Sequence, residues 1–232
     1  MDYDSIADLY VKNAHTMPGN ELYERPATKA LLPDLAGLDV LDAGCGDGYY
    51  SEYMTERGAR VVGYDPSAKM IEHARLRMNG KACELHACQS RDLPQILKGR
   101  NFDLILSALV LHYVEDLTSE FSHFRKAIRP EGRVVISMKH PLIHMGAVQR
   151  FGYRAHNKLR IRWDWVDGDV LHIQRPLGAI TDSADAAGFY IDRLIEAQPL
   201  PEMKAVEPQK YEMAIRFPFF LHLVLRPRPL SD

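Results

Sequence analysis

The stretch Val40-Leu-Asp-Ala-Gly-Cys-Gly-Asp-Gly48 decides the fold of this chain. An aliphatic run leads into an acid and then into three glycines spaced two residues apart, which predicts a buried strand that breaks into a tight loop. Because glycine has no Cβ, the backbone of this loop can approach a ligand closely. Residues 49–57 carry helix formers, so we expect free N–H groups and the positive end of a helix dipole beside the bound molecule. An ordinary glycine-rich turn is the alternative interpretation.

The glycine spacing separates this loop from two other nucleotide-binding loops. The dinucleotide fingerprint G-x-G-x-x-G, counted from Gly44, requires glycine where Tyr49 stands. A P-loop requires Gly-Lys followed by Ser or Thr, and no such tripeptide follows. The sequence therefore argues against a dehydrogenase and against phosphate binding by a P-loop lysine.

A second acid stands at the end of the next predicted strand. Residues 58–65 form a short apolar run that ends in Asp65, 23 positions beyond Asp42. An acid about 20 residues after a glycine-rich loop, at the tip of the neighbouring strand, is placed to accept hydrogen bonds from the two hydroxyls of a ribose. Asp65 could instead cap the helix predicted to follow it, since Pro66 comes next. The pairing of loop and acid favours a ligand of the adenosine type.

Strands and helices alternate along the chain, which predicts a mostly parallel α/β sheet of the Rossmann-like kind. Residues 101–114 form the most apolar stretch, so we expect a central strand, buried on both faces, that ends near Ser107. Residues 141–176 are predicted to be irregular. The later predicted elements are a helix at 120–128, strands at 133–137, 189–197 and 217–226, a helix at 180–188 capped by Thr181 or Asp182, and a surface loop at 199–209.

The bulk composition bounds the class of protein. With 232 residues and 46% hydrophobic content, the chain can bury the core of a single domain spanning residues 1–232. A formal net charge of -2 and a pI near 6.6 predict no general attraction to nucleic acid or to anionic membranes. The sequence has no apolar run of about 18 residues, it starts with acidic residues rather than a signal peptide, and its three cysteines have no framework spacing. We therefore expect a cytoplasmic protein that does not enter a membrane.

The glycine loop resembles motif I of the class I methyltransferases that use S-adenosylmethionine (SAM). The D-x-G-x-G-x-G pattern of that family falls on residues 42–48, and F-D-L-I followed by L-H-Y-V within residues 102–114 resembles its motif IV. The resemblance covers residues 36–140 and, loosely, the last 50 or so residues. It implies a small, single-domain methyltransferase of the bacterial type that acts on small molecules. It also implies a seven-stranded, mostly parallel sheet with helices on both faces and an antiparallel last strand.

The same resemblance implies how SAM would be bound. Asp42 would lie near the ammonium end of SAM, Asp65 would bind the ribose, and Pro66 and Met70 would flank the adenine. The acid that bonds the adenine amino group in the family is replaced here by Gln89, a departure, although an amide oxygen can also accept that bond. The implied cofactor-binding residues are Tyr10, Arg25, Asp42, Gly44, Cys45, Gly46, Asp65, Pro66, Met70, Gln89, Ser90, Arg91 and Ser107.

Two of these residues have a plain structural alternative. Tyr10 ends a stretch, beginning at Tyr3, that resembles an N-terminal segment which folds over SAM in the family. It could instead anchor its helix by packing. Arg25 could reach the SAM carboxylate or be a solvated side chain.

Two histidines are candidates for a general base. His112 lies within the motif IV resemblance and His140 just after the strand predicted at 133–137, so both are expected at the carboxyl edge of the sheet, where α/β folds bind ligands. A side chain that titrates near neutral pH can take a proton from a methyl acceptor. For each, the alternative is a structural histidine. The scattered histidines and cysteines lack the spacing of a metal site, so no metal is predicted.

The remaining segments are expected to contact the methyl acceptor. Residues 1–35 would form a helical cover and residues 141–176 an inserted substrate cover. The basic and aromatic residues at 149–163 leave three alternatives open, namely RNA binding, an acidic small substrate or a solvated two-stranded ribbon. The predicted reaction is transfer of the sulfonium methyl to an O, N or C atom of a small molecule by a monomer or homodimer, with no nucleic-acid partner expected. A tRNA or rRNA methyltransferase and a non-catalytic SAM-binding protein are the alternatives.

Overall fold

Seven strands form one sheet at the centre of the computed structural model, which describes residue 4, residues 6–163 and residues 169–229. All of them run parallel except the strand Phe220–Pro227, which pairs antiparallel with the strands on both of its sides. This arrangement confirms the predicted Rossmann-like sheet with an antiparallel last strand. In spatial order the strands are β3 (Cys83–Ala87), β2 (Arg60–Asp65), β1 (Asp39–Ala43), β4 (Phe102–Ala108), β5 (Ile128–Lys139), β9 (Phe220–Pro227) and β8 (Phe189–Ile195).

Helices pack on both faces of this sheet. No helix within the described ranges is both long and apolar enough to cross a membrane. The α-helices are α1 (Ala7–Ala14), α2 (Arg25–Lys29), α3 (Tyr49–Thr55), α4 (Ala68–Met78), α5 (Leu93–Leu97), α6 (Leu117–Ala127), α7 (Met145–Phe151), α8 (Leu177–Ala186), α9 (Met203–Val206) and α10 (Pro208–Arg216), with a π-helical turn at Asn20–Glu24 and a 3-10 turn at Ser90–Asp92.

The central strands are apolar on both faces, which explains why their sequence reads as a continuous hydrophobic run. Because side chains alternate across a strand, Leu41 and Ile105 join one core with α6, whereas Val40 and Leu104 join the opposite core with α3. All four side chains are fully buried. Strands β2, β1 and β4 lie side by side in the same direction, so their carboxyl ends meet at one edge of the sheet.

The predicted start of helix α8 was wrong. The helix begins at Leu177, and its N-cap is Pro176 rather than Thr181 or Asp182. Thr181 lies inside the helix, where its Oγ1 donates to Gly178 O at 2.9 Å. The hydroxyl satisfies a carbonyl of the preceding turn, so its presence did not mark a helix end.

The loop predicted at residues 199–209 was also wrong. This segment contains α9 and the start of α10. Pro208 occupies the first turn of α10, where the missing N–H of proline costs no helical hydrogen bond. Strand β5 is likewise longer than the strand predicted at 133–137, because it begins at Ile128 and ends at Lys139.

Residues 141–176, predicted to be irregular, contain α7 and a two-stranded antiparallel ribbon. Strand β6 (Asn157–Arg162) pairs with β7 (Asp169–Gln174), and residues 164–168 lie outside the described residues. Leu159 of β6 is buried opposite His172. The ribbon agrees with one of the three alternatives for residues 149–163, whose basic side chains are exposed: Arg150, Arg154, Lys158, Arg160 and Arg162.

The substitution Leu104→Ala tests the two-sided core. Leu104 is fully buried in β4, so truncation removes apolar contacts and leaves a cavity. The free energy of unfolding in urea should fall by about 2–5 kcal/mol. Leu76→Ala, at a position on α4 that is 76% exposed, is the matched control and should change it by less than about 0.5 kcal/mol. Equal effects of the two substitutions would contradict a central strand covered on both faces.

Candidate functional site

The glycine loop between β1 and α3 is fixed to the neighbouring strand β2. The backbone N–H groups of Gly44 and Cys45 both donate to Tyr64 O, at 2.9 Å each. Gly44 has a φ of +75°, and a Cβ there would lie 2.4 Å from Val110 Cγ2. Only glycine fits this position, because any side chain would meet both backbone strain and the segment that follows β4.

Asp65, at the end of β2, joins the glycine loop to the start of α4. Its Oδ2 accepts a hydrogen bond from Gly46 N at 3.0 Å, and its Oδ1 accepts one from Ser67 N at 2.9 Å. Each carboxylate oxygen keeps capacity for a further donor. The N-cap of α4 is Ser67, whose Oγ accepts from Met70 N at 3.1 Å. Asp65 is therefore a bridge between two turns rather than the cap of the helix.

A cavity of about 800 Å³ opens at this edge of the sheet, and we call it the first cavity. Asp65 and the glycine loop form one part of its wall, and α1 contributes another. The predicted residues that line this space come from four separate segments of the chain. The predicted cofactor-binding residues that line it are Tyr10, Gly44, Gly46, Asp65, Pro66, Met70, Gln89, Ser90 and Arg91.

Three other predicted residues lie behind this wall. Asp42 is buried beneath the loop, where its Oδ2 accepts from Ser51 Oγ of α3 at 2.6 Å. Cys45 and Ser107 are buried as well, and none of the three lines the first cavity. Asp42 therefore joins the end of β1 to α3 through a hydrogen bond and does not border the cavity.

Arg25 lies in a cluster beside the first helices. Its guanidinium pairs with Glu21, stands 3.5 Å from the centre of the Tyr49 ring and lies 3.1 Å from His15 Nδ1. The side chain is buried, so the solvated alternative for this arginine is wrong. It does not line the first cavity.

Gln89 divides its polar groups between a turn and the cavity wall. Its side chain accepts from the backbone N–H of Asp92, and its own N–H donates to Asp92 Oδ2 at 3.1 Å. This reciprocal pair fixes the turn that carries Ser90 and Arg91. The side-chain oxygen of Gln89, which was expected to accept a hydrogen bond from adenine, therefore already accepts one within this turn.

Sequence reasoning missed much of the opposite wall. Leu109, Val110 and Tyr113 line the first cavity from the segment after β4, and the apolar run ending at residue 114 was the available signal for them. Further wall residues come from α6 and β7, which no local motif connects with the glycine loop. These are Ser119, Glu120, His123, Val170 and Leu171.

Burial raises the pKa of two acids beside the loop. The pKa of Asp42 rises to about 7 and that of Asp65 to about 6, first because both are desolvated and also because other acids lie near. The N–H groups of Ser67 and Gly46 partly offset the rise at Asp65. A ligand that brings positive charge to this edge would favour the ionised form of both acids.

A second cavity, of about 540 Å³, meets the first at Tyr10, Leu109 and Tyr113, which line both. The wall of the second cavity combines aromatic, cationic and histidine side chains with residues 13 and 16–20 of the N-terminal segment. These side chains include His112, Lys139, Trp163, Lys210, Phe219 and Phe220. The two cavities give room for two molecules side by side at the carboxyl ends of the strands.

His112 lines the second cavity as a buried side chain. Desolvation, with the nearby charges of His172 and Lys139, lowers its pKa well below the usual value, because burial disfavours the imidazolium form. The lowered pKa favours the structural alternative for His112 over a base that titrates near neutral pH. His112 is neutral and weakly basic at pH 7.

His140 lies outside both cavities. Its Nδ1 accepts from Leu142 N at 3.1 Å, so Nε2 carries the proton and faces Glu196 Oε1 at 2.8 Å. These contacts favour the structural alternative for His140. In the part of the chain that the structure describes, no three His, Cys, Asp or Glu side chains are grouped to hold a metal ion.

Side-chain pairs tie the N-terminal segment to the loops around the first cavity, and we call these pairs the N-terminal clasp. Asp47 of the glycine loop also pairs with Arg77 of α4 at 2.6 Å. Tyr3, predicted with Tyr10 to cover the cofactor, lies outside the described residues. The clasp consists of three pairs. Ser67 Oγ lies 2.5 Å from Asp4 Oδ1, His73 Nε2 lies 2.8 Å from Asp8 Oδ1, and His15 Nε2 lies 2.5 Å from Asp47 Oδ2.

The chain is similar to known methyltransferases over most of its length. A family model described as "Methyltransferase domain" matches residues 41–136. A solved SAM-dependent methyltransferase from Mesorhizobium loti is 31% identical, with a TM-score of 0.74, over 88% of this chain and 97% of that one. This chain belongs to the class I SAM-dependent methyltransferases.

Curated relatives of this methyltransferase match over shorter stretches. A ubiquinone biosynthesis O-methyltransferase from Rhizobium etli is 34% identical over 54% of this chain and 50% of its own length. A malonyl-[acyl-carrier protein] O-methyltransferase from Serratia marcescens is 31% identical over 57% of this chain and 46% of its own length. The chain thus spans about half the length of the curated relatives it matches.

Raising the pH from 4 to 7 should reduce stability through Asp42. The pKa of this acid is ordinarily 3.8 and about 7 in the folded protein, so the folded state holds a proton that the unfolded state has already released. The free energy of unfolding therefore falls as the pH rises through this range. Asp42→Asn keeps an acceptor for Ser51 and removes the titration, so its unfolding free energy in urea should vary less with pH than that of the wild type. The same fall in both proteins would contradict a raised pKa at Asp42.

Proposed function

We propose that this chain transfers the sulfonium methyl group of SAM to an O, N or C atom of a small-molecule acceptor. The observation that carries the proposal is the meeting of two cavities at Tyr10, Leu109 and Tyr113. One cavity lies beside the Asp65 carboxylate and the glycine loop, and the other lies among aromatic and cationic side chains. A donor in the first and an acceptor in the second would touch at this junction.

The first cavity fits SAM in size and polarity. Its volume of about 800 Å³ is in the range of pockets that hold drug-sized ligands. Asp65, with capacity left on each oxygen, would accept from the ribose hydroxyls. Pro66 and Met70 would flank the adenine, and Gln89, with the backbone at Ser90 and Arg91, would face its amino edge. Membership of the family supports this placement.

The predicted residues behind the wall would act on SAM indirectly. Asp42 would hold the loop through Ser51, and its ionised form would be favoured by the ammonium group of the cofactor. Cys45 and Ser107 would shape the ends of β1 and β4. Arg25 would fix the N-terminal segment through its contact with Tyr49.

The contribution of the chain to the chemistry would be alignment. Bound SAM supplies a methyl group that is already activated by the positive sulfur. The protein has to hold the acceptor atom about 3 Å from the methyl carbon and exclude water. His112 borders the acceptor as a neutral imidazole, and its lowered pKa makes it a weak proton acceptor near pH 7. We therefore assign His112 to packing, and His140 to holding Glu196.

An oxygen acceptor on a small molecule has the most support. Two curated relatives are named as O-methyltransferases, and the second cavity is only about 540 Å³. Three free thiols, at Cys45, Cys83 and Cys88, support a cytoplasmic location.

An RNA acceptor is the second candidate, because the basic side chains of residues 149–163 are exposed. Methylation of total RNA that falls steeply with salt would favour it. A non-catalytic SAM-binding protein would bind the cofactor and show no transfer to any acceptor.

The substitution Asp65→Asn should weaken binding of S-adenosylhomocysteine about 10-fold or more in isothermal titration calorimetry. The change removes the charge that strengthens the proposed hydrogen bonds to the ribose. Asp182→Asn, at an exposed acid on α8, is the matched control and should bind like the wild type. Thermal unfolding of both variants establishes that they are folded. Unchanged affinity of folded Asp65→Asn would overturn the assignment of the first cavity to an adenosyl ligand.

A further inference from the structure

Lys139 lines the second cavity and has no ion-pair partner in the part of the chain that the structure describes. It is half-buried at the carboxyl end of β5, and its Nζ lies 4.4 Å from the centre of the Phe220 ring, its partner on β9. Among the described residues, no carboxylate lies within ion-pair distance of this ammonium group and no side chain accepts a hydrogen bond from it. Burial lowers the pKa of Lys139 to about 8, so the protonated form of this side chain predominates at pH 7.

The nearest acid, Glu24, raises the pKa of Lys139 through its charge but forms no ion pair with the ammonium group. Glu24 is fully buried, and its oxygens accept hydrogen bonds from the hydroxyls of Thr28, Tyr50 and Ser137 at 2.5–3.2 Å. Desolvation raises the pKa of Glu24, which favours its neutral form. The other lysine on the cavity wall, Lys210, is paired with Glu207 at 2.6 Å. Of the two lysines on this wall, Lys139 is therefore the one that an anionic ligand could satisfy.

The rest of the cavity suits a planar apolar body. Tyr113, Trp163, Phe219 and Phe220 line it, and aromatic faces pack well against flat rings. His112 adds no charge there, because its pKa is lowered well below the usual value. The volume of about 540 Å³ accommodates one substituted ring rather than a polymer.

We propose that the methyl acceptor is a small aromatic acid and that the Lys139 ammonium binds its carboxylate as an anchor. This inference rests on the proposed function, in which the second cavity holds the acceptor. An acid held at Lys139 would keep its carboxylate away from the methyl group, since an ion-paired oxygen is a poor nucleophile, and would present a ring substituent at the junction with the first cavity. There a lone pair on the oxygen or nitrogen atom of that ring substituent forms the bond to the methyl carbon. The C–S bond breaks with its electron pair remaining on sulfur, and the proton of the acceptor passes to solvent.

The test uses a panel of hydroxylated benzoates, phenylacetates and cinnamates, each matched with its primary amide. Each compound is titrated calorimetrically into wild-type protein saturated with S-adenosylhomocysteine. Acids should bind at least about 10-fold more tightly than their amides, because a half-buried ion pair is worth more than a neutral hydrogen bond. Lys139→Met should abolish this preference with no change in the affinity for S-adenosylhomocysteine, and Lys139→Arg should restore most of it.

Lys126→Met, at an exposed lysine of α6, is the matched control and should keep the full preference for acids. The inference is overturned if no acid binds, if acids and amides bind equally, or if Lys139→Met retains the preference. Methylation of the carboxylate itself, detected as a methyl ester by mass spectrometry, would also overturn the anchor role. A wild-type protein that binds S-adenosylhomocysteine but shows no preference for acids refutes only this inference. Failure to bind S-adenosylhomocysteine refutes the proposed function as well.

Discussion

The geometry of the site depends on one carboxylate, that of Asp65, which accepts hydrogen bonds from two separate turns. Gly46 N belongs to the loop after β1, and Ser67 N belongs to the turn before α4. Hydrogen bonds from N–H groups to a charged acceptor are shorter and stronger than those between neutral groups. The side chain therefore sets the distance between two strand ends before any ligand arrives, and the first cavity takes its shape from that distance.

This arrangement has an electrostatic cost that a cationic ligand would offset. Asp42 and Asp65 are both desolvated, other acids lie near them, and neither forms an ion pair within the described residues. Their raised pKa values express that cost. SAM carries positive charge on its sulfur and on its amino group, so its binding and the ionisation of these acids would be linked. Lys139 is the opposite case, a cation on the neighbouring wall.

The sequence predicted the parts of the structure that depend on local signals. The apolar run into the glycine loop and the position of Asp65 at a strand end identified the sheet, the loop and one wall of the first cavity. What the sequence could not show was the partner of each side chain. Asp42 faces Ser51 because of how β1 packs on α3, and Arg25 is held by Glu21 and Tyr49 across a π-helical turn. The walls from α6 and β7 meet the loop only through tertiary packing, which no spacing along the chain records.

The N-terminal clasp has a consequence for how bound molecules exchange. Helix α1 carries Tyr10, which belongs to the walls of both cavities, and side-chain pairs hold this segment at both ends, at Asp4 and at His15. Movement of α1 away from α4 would therefore open the two spaces together. Donor and acceptor would share a single gate, so that the residence time of each depends on the same opening event.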